Sequence, residues 1–314
     1  MNKLLFTITL VALLIAASYA TAATAAPAGV PAPQISIKVT DDMLDAPGQI
    51  EAGIVAVTFQ NNGTQNHNLK FFRLIAGKSV DDLKSAKSFG EGTALLDAAY
   101  GGTSSLFPAQ SQAVVLDLAE GSYVVASFLR GPPDFQKALL KSLKVVARTS
   151  GGTVDEPAAD LTVGLTDNSI IIASNIAAGT HTFKVSNDGP GLNQVIILKL
   201  APGKSNDDAV VWLKAEQSGP APVDNSANNG GTAEFSAGKR GWLSLTMTPG
   251  TWFAFNNLPG PNHNVPVFVT VGGPATLPRT GSSGWSDMVT FIAVAGLALL
   301  GLGWLLRRRW TRWA

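Results

Sequence analysis

The sequence contains no cysteine, and it has only three histidines and four methionines. Without cysteine there is no disulfide, no thiol nucleophile, no thiolate ligand for a metal and no site for lipoprotein-type acylation. Stability must therefore come from hydrophobic packing. The 314 residues are enough for two domains that each bury a core.

Catalytic and nucleic-acid-binding patterns are also missing. The sequence has no His-Glu-x-x-His, no Gly-x-Ser-x-Gly, no phosphate-binding glycine loop and no EF-hand loop. Without Lys3, Asp287 and the four arginines of the tail 307–314, its 23 basic and 22 acidic residues leave a net charge of about −3. This argues against nucleic acid as a partner. The sequence thus predicts no enzyme and no cofactor.

Residues 1–25 have the pattern of a secretory signal peptide. Lys3 is followed by an uncharged apolar run and then by small residues, and cleavage after Ala22 and cleavage after Ala25 both fit. Residues 26–33 are rich in proline and alanine, which favours an extended leader. The chain is therefore expected to be exported.

A polar motif, an uncharged run and a basic cluster follow one another between positions 277 and 314. The motif is Leu277-Pro278-Arg279-Thr280-Gly281, the run covers residues 288–306, and the tail 307–314 carries Arg307, Arg308, Arg309 and Arg312. Nineteen helical residues reach the roughly 30 Å of a bilayer's hydrocarbon core. The run therefore predicts one transmembrane helix, and the arginines predict a stop-transfer signal and a cytoplasmic tail.

This order of signals resembles the cell-wall sorting signal of Gram-positive surface proteins, the LPXTG type. The resemblance implies that a sortase cuts between Thr280 and Gly281 and joins Thr280 to an amine of the cell wall. Sortase, peptidoglycan and the membrane are then the expected partners, and the cell surface is the expected location. A plain membrane anchor, without sortase cleavage, is the alternative.

The part of the chain between these segments repeats itself. Residues from Gly53 to Asp82 recur 126 positions later, and residues from Gly101 to Pro132 recur 129 positions later. A constant offset with one three-residue insertion indicates a duplicated domain. Domain 1 is placed at 34–148, a Gly-, Pro- and acid-rich linker at 149–159 and domain 2 at 160–272. Each domain is expected to fold by itself.

Each copy has the pattern of about seven short strands. Runs of β-branched and aromatic residues enter tight turns at Asn62-Gly63 and Asp188-Gly189. Ser79 and Ser205 stand three residues before an aspartate, the capping pattern that opens a helix. The expected fold class is all-β, with two tandem β-sandwich domains.

The order of these signals resembles the cupredoxin-like sandwich, the fold of small blue-copper proteins. The resemblance rests on early acidic residues, Asn-x-Gly turns, Gly-Gly loops and two Gly-x-aromatic hairpins. The acidic residues are Asp41 and Asp167, and the hairpins are Gly121-Ser122-Tyr123 and Gly250-Thr251-Trp252. It implies a histidine after the Asn-x-Gly turn, a cysteine four residues past the hairpin aromatic, and a histidine and a methionine beyond. An immunoglobulin-like sandwich shares much of this pattern.

The implied copper ligands are mostly lost. The first copy keeps His67 but has Ser127 at the cysteine position, and the second copy has Asn193 and Asn256 and keeps only His263. Both domains are therefore expected to be copper-free, with the histidines in turns or on the surface. A copper or zinc site shared by His67 and His263 is the alternative.

These expectations describe an exported surface protein that presents two copper-free cupredoxin-like domains as a structural or binding module. The sequence does not indicate the surface ligand. One alternative is an extracytoplasmic copper-binding or electron-transfer protein. Another is a surface hydrolase, whose site would gather carboxylates with a histidine.

Overall fold

A computed structural model describes residues 32–128, 134–149 and 154–273. The expected signal peptide, the sorting motif, the expected transmembrane run and the basic tail lie outside these residues. Within the described ranges, no helix combines the length and the apolar character that crossing a membrane requires.

The described residues form two units with the same order of strands, and the first unit has one helix more than the second. The first unit contains, in chain order, β1 Gln34–Val39, β2 Leu44–Asp45, β3 Gln49–Glu51, β4 Gly53–Asn61, β5 His67–Leu74, α1 Val80–Ser85, α2 Phe89–Thr93, β6 Leu96–Leu106, β7 Ser111–Leu118, β8 Gly121–Ser127 and β9 Leu139–Val146. The second contains β10 Leu161–Thr166, β11 Ser169–Ile171, β12 Asn175–Ile176, β13 Gly179–Asn187, β14 Ile196–Lys199, α3 Asn206–Lys214, β15 Gly230–Gly231, β16 Arg240–Met247, β17 Gly250–Phe255 and β18 Val267–Val271.

Each unit is a sandwich of two sheets. In one sheet of the first unit β1 runs parallel to β4, and in the corresponding sheet of the second unit β10 runs parallel to β13. The other strands of these two sheets pair antiparallel. The facing sheets are ordered β3-β9-β8-β5-β6 and β12-β18-β17-β14-β15. The same pairing in both units confirms the all-β class with two tandem β-sandwiches.

The core lies between the two sheets of each sandwich, because alternate residues of each strand point inward. Along β7, buried residues alternate with more exposed ones. The hairpin aromatics occupy equivalent places in the two cores. The Tyr123 hydroxyl donates to the backbone oxygen of Ala119 at 2.8 Å, and Nε1 of Trp252 donates to that of Thr248 at 2.9 Å. Both rings are thereby buried with their polar atoms paired.

Short helices cover the outer face of the second sheet in each unit, and their starts confirm the capping prediction. Ser79 Oγ accepts from the backbone of Asp82, whose carboxylate accepts from the backbone of Ser79, and Ser205 and Asp208 repeat this capping box. Leu83 and Leu213 point from these helices into apolar clusters on the sheets. The caps thus fix where the two covering helices begin.

The units share one sheet. Strand β7 of the first unit pairs antiparallel with β16 of the second, in the register Leu116↔Gly241 and Val114↔Leu243. The result is an eight-stranded sheet in the order β11-β10-β13-β16-β7-β4-β1-β2. An edge strand of each unit therefore hydrogen-bonds to the other unit.

Candidate functional site

The turn that precedes His67 is held by a buried asparagine. Asn61 Nδ2 donates to the backbone oxygens of Gln65 at 2.8 Å and Leu106 at 3.0 Å, and its Oδ1 accepts from the amide of Gly63 at 2.9 Å. A side chain at Gly63 would collide with the carboxylate of Asp41. The Asn-x-Gly pattern therefore marks a turn that must come close to that carboxylate.

Asp41 joins this turn to His67. Its carboxylate accepts from the backbone amide of Thr64 at 2.9 Å, from the Thr64 hydroxyl at 2.5 Å and from the amide of Gln65 at 3.1 Å, and it lies 3.2 Å from His67 Nε2. The hydrogen bonds from Thr64, helped by that from His67, hold the pKa of Asp41 well below its usual range. Asp41 is thus a carboxylate that orients the imidazole.

His67 meets Ser127, the residue at the lost cysteine position. His67 Nδ1 lies 3.0 Å from Ser127 Oγ, and both side chains are 0% exposed. Nδ1 thus faces the Ser127 hydroxyl and Nε2 faces the Asp41 carboxylate, so both ring nitrogens have hydrogen-bond partners.

The second unit repeats the arrangement with amides. Asn187 makes the same clamp as Asn61, to the oxygens of Gly191 and Phe235 and the amide of Gly189. A chain of buried side-chain hydrogen bonds then follows, and its links are Asp167 to Asn193 at 2.9 Å, Asn193 to Asn256 at 3.1 Å and Asn256 to Asn262 at 3.1 Å. Asn262 ends the chain on the backbone oxygen of Thr166.

His263 lies outside this chain. Its Nδ1 is 3.1 Å from the backbone oxygen of Leu258, and its Nε2 is 3.0 Å from Glu216 Oε2. His67 and His263 thus sit in different units with different partners. In the parts of the chain that the structure covers, no group of three or more histidines and acidic residues is arranged to hold a metal ion.

Neither position fits type 1 copper, which takes a thiolate and two imidazoles. The first unit offers one imidazole, already bonded through both nitrogens, and a hydroxyl. The second offers neutral amides that are bonded to one another. Asn193 and Asn256 meet in the second copy as His67 and Ser127 do in the first, in agreement with the resemblance, but both pairs belong to hydrogen-bond networks.

Asp41, His67 and Ser127 have the carboxylate–imidazole–hydroxyl order of a hydrolytic triad. Sequence reasoning missed this cluster because Asp41 lies 26 positions and Ser127 60 positions from His67. The signal that could have found it is the resemblance to the blue-copper fold, which assigns copper-ligand positions to His67 and Ser127 and an early acidic position to Asp41. Because His67 and Ser127 have no exposed surface, a substrate has no access to the hydroxyl, and the cluster acts as packed polar structure.

Comparison with known protein families finds no matching family model, and comparison with curated proteins finds no match either. Solved structures similar to the chain include a reduced auracyanin from Roseiflexus castenholzii, 19% identical, covering 37% of this chain and 99% of that one, TM-score 0.26. A multicopper oxidase is 14% identical, covering 76% and 88%, TM-score 0.24. Copper nitrite reductase from Nitrosomonas europaea is 11% identical, covering 77% and 94%, TM-score 0.24.

These structures correct the expectation that the chain is not an enzyme. An oxidase and a reductase are among them. That expectation came from the absence of familiar catalytic motifs, and the absence of those motifs does not exclude catalysis on such a fold.

Proposed function

We propose that the chain is an exported protein of the cell surface, in which the two-unit β body is presented as a binding or structural module. The observation that carries the module role is the closed hydrogen-bond network at both implied copper positions, from Asp41 to Ser127 and from Asp167 to Asn262. Such networks stiffen a core and leave no open ligand position.

The shape of the shared sheet also supports a module that stands in the extracellular space. The edge strands of the eight-stranded sheet, β2 and β11, are two and three residues long. Short edge strands offer little template for pairing with other chains, which suits a protein displayed at high local concentration. The largest apolar cluster contains residues of both units, which agrees with a protein that is stable without disulfides.

The anchoring part of the proposal rests on the three-part signal at 277–281, 288–306 and 307–314. Here sortase joins Thr280 to peptidoglycan, and the run 288–306 holds the precursor in the membrane until cleavage. The positive tail keeps that run from being translocated.

Fractionation of cells tests the anchor. Wild-type protein should leave the membrane fraction and be released only by wall-degrading enzymes, because Thr280 becomes covalently bound to the wall. Thr280→Ala should stay in the detergent-soluble membrane fraction, while the matched Thr276→Ala, just outside the motif, should behave as wild type. Wild-type protein that detergent alone extracts would refute sortase cleavage and leave a plain membrane anchor.

Copper titration tests the rival function of a copper-binding or electron-transfer protein. The intense blue absorption of a type 1 site requires a Cu(II)–thiolate bond, and the chain has no cysteine. Added Cu(II) should therefore bind weakly, give only pale colour and be removed by mild chelators. A stoichiometric, chelator-resistant copper that His67→Ala and His263→Ala each abolish would favour the rival.

A further inference from the structure

A cavity of about 210 Å³ opens where the two units meet. Both units contribute to its wall, and its lining residues are Tyr100, Asp117, Ala119, Gly238, Lys239 and Arg240. The first three come from β6 and the end of β7, and the other three from the segment that leads into β16. The cavity therefore exists only when β7 and β16 are paired, and junctions of this kind are frequent sites for small ligands.

Among the described residues, one cation at the cavity has no carboxylate partner. Arg240 pairs with Asp117 at 3.4 Å and with Glu156 at 2.6 Å. Lys239 Nζ makes no ion pair with any described carboxylate and instead lies 4.6 Å from the centre of the Tyr100 ring. Because Arg240 balances Asp117, the wall carries a net positive charge at Lys239.

Two further donors at the cavity have no hydrogen-bond partner within the described part of the chain. Tyr100 is 2% exposed and its hydroxyl has no partner of ordinary geometry, and Nε of Arg240 is buried and unpaired as well. The Tyr123 hydroxyl donates to the backbone of Ala119. Burial raises the pKa of Tyr123, and so does its contact with the Tyr100 hydroxyl, but that contact lies outside hydrogen-bond geometry. Buried donors left unpaired are costly unless a ligand or water satisfies them.

We propose that this cavity binds a small anion that carries a carboxylate or a phosphate group. Lys239 supplies the balancing charge, and the Tyr100 hydroxyl and Arg240 Nε supply donors. Such charge-assisted hydrogen bonds are stronger than neutral ones. The volume suits a small anion and not a drug-sized molecule, whose pockets span about 300–1,000 Å³. The inference gives a ligand class to the binding role proposed above and does not depend on the anchor.

Calorimetric titration of the full chain, purified in detergent, tests the site. Sodium acetate and inorganic phosphate are titrated separately at constant ionic strength, so that the two arms identify which anion is preferred. At least one should bind saturably at one per chain. Lys239→Met should weaken that binding about tenfold or more, Lys239→Arg should largely keep it, and Tyr100→Phe should weaken it several-fold. The exposed Lys141→Met on β9 should bind as wild type.

Urea unfolding of each variant separates binding from folding. If Lys239→Met lowers the urea midpoint, the anion affinity of Tyr100→Phe is compared with that of wild type to decide whether the cavity binds the anion. Tyr100→Phe suits this purpose because it removes one oxygen and keeps the ring. Saturable binding that both Lys239→Met and Tyr100→Phe leave unchanged would overturn the proposal, and so would the absence of saturable heat with either anion. Neither result would alter the fractionation of Thr280→Ala, so a failed ligand and a failed anchor are told apart.

Discussion

Asn61 and Asn187 each hold a turn with a single fully buried amide. In both units the amide nitrogen serves two backbone oxygens and the amide oxygen serves a glycine amide two residues on. The second oxygen lies 45 or 48 positions away, at Leu106 or Phe235, so each asparagine also ties the turn to a distant segment. Asparagine therefore stabilises the same turn geometry in both units.

Replacing either asparagine by alanine should be strongly destabilising. Asn61→Ala and Asn187→Ala each leave a glycine amide and a buried carbonyl without their partner, which costs about 2–4 kcal/mol of unfolding free energy. Urea denaturation followed by circular dichroism measures the loss. The exposed Asn228→Ala is the matched control and should change the midpoint little. Equal midpoints for all three variants would show that the clamps are dispensable.

His181 and Asp160 form an ion pair at the start of the second unit. The Asp160 carboxylate contacts His181 Nδ1, and Nε2 lies 2.8 Å from the backbone oxygen of Ala177, so acceptors face both ring nitrogens. Burial by itself lowers the pKa of His181, but the bonds to Asp160 and Ala177 outweigh it and raise the pKa above its ordinary 6.5. Burial likewise raises the pKa of Asp160, and the bonds from His181 and the Thr182 amide outweigh it and lower that pKa below 3.8.

The sign of the pH dependence follows from these directions. The histidine's contribution to stability is fully present below pH 6.5 and is lost as pH rises through its raised folded pKa, and the aspartate's contribution is lost as pH falls through its lowered pKa. In a nuclear magnetic resonance titration, the His181 ring should titrate above 6.5, and Asp160→Asn should lower that midpoint. Glu216→Gln, which alters the carboxylate beside His263, should leave it unchanged. A His181 midpoint that Asp160→Asn does not move would contradict the pairing.

Strands β6 and β15 lie very close to the backbone of their antiparallel neighbours β5 and β14 at glycines with positive φ. Gly102 has φ +138° and Gly231 has φ +157°, and a Cβ at either would run into the backbone oxygen of Leu69 or Val195. Both strands lie at the edge where the units approach, through the isolated bridge Thr103↔Thr232. Both Gly-Gly pairs therefore lie within strands, at points of close backbone contact.

Gly102→Ala and Gly231→Ala should each destabilise the protein by about 3 kcal/mol or more, because the strained φ and the collision with backbone add together. Soluble yield and the urea midpoint measure the effect. Gly48→Ala is the control, since a Cβ there meets nothing within 4 Å. Wild-type midpoints for Gly102→Ala and Gly231→Ala would mean that the neighbouring backbone accommodates the added Cβ without a loss of stability.

Several contacts hold the two units together in addition to the linker between them. Besides the β7–β16 pairing, Lys70 Nζ lies 2.8 Å from Glu234 Oε1 with the two side chains 17% and 8% exposed, and the amide of Ala99 donates to Ser236 Oγ at 2.9 Å. The largest apolar cluster contains residues of both units. Separating the units would expose two edge strands and leave Glu234 without its cation.

Chains cut within the linker at 150–153 should therefore not behave as two independent domains. Each half expressed alone should aggregate or self-associate, and co-expressed halves should assemble into one complex that unfolds as a unit. Size-exclusion chromatography and thermal circular dichroism measure this. Two halves that are separately monomeric and unfold cooperatively would restore the expectation, drawn from the repeat, that each domain folds by itself.

The sequence by itself determined what short-range patterns encode. Alternation of apolar residues indicated the strands, the Ser-x-x-Asp pattern indicated the starts of α1 and α3, and the constant offset indicated two copies of one fold. The absence of cysteine excluded a thiolate at the positions of Ser127 and Asn256. These features depend on neighbours a few positions apart or on residue type alone.

Only the tertiary structure decided which distant groups meet. It paired β7 with β16, brought Asp41 and Ser127 to opposite sides of the His67 ring, and placed Lys239 over Tyr100 in a cavity that neither unit forms alone. Each edge strand of a sandwich presents similar unpaired backbone groups, so the local pattern does not specify which two edges join. That choice depends on side-chain packing across the junction, where the contacting residues are more than one hundred positions apart.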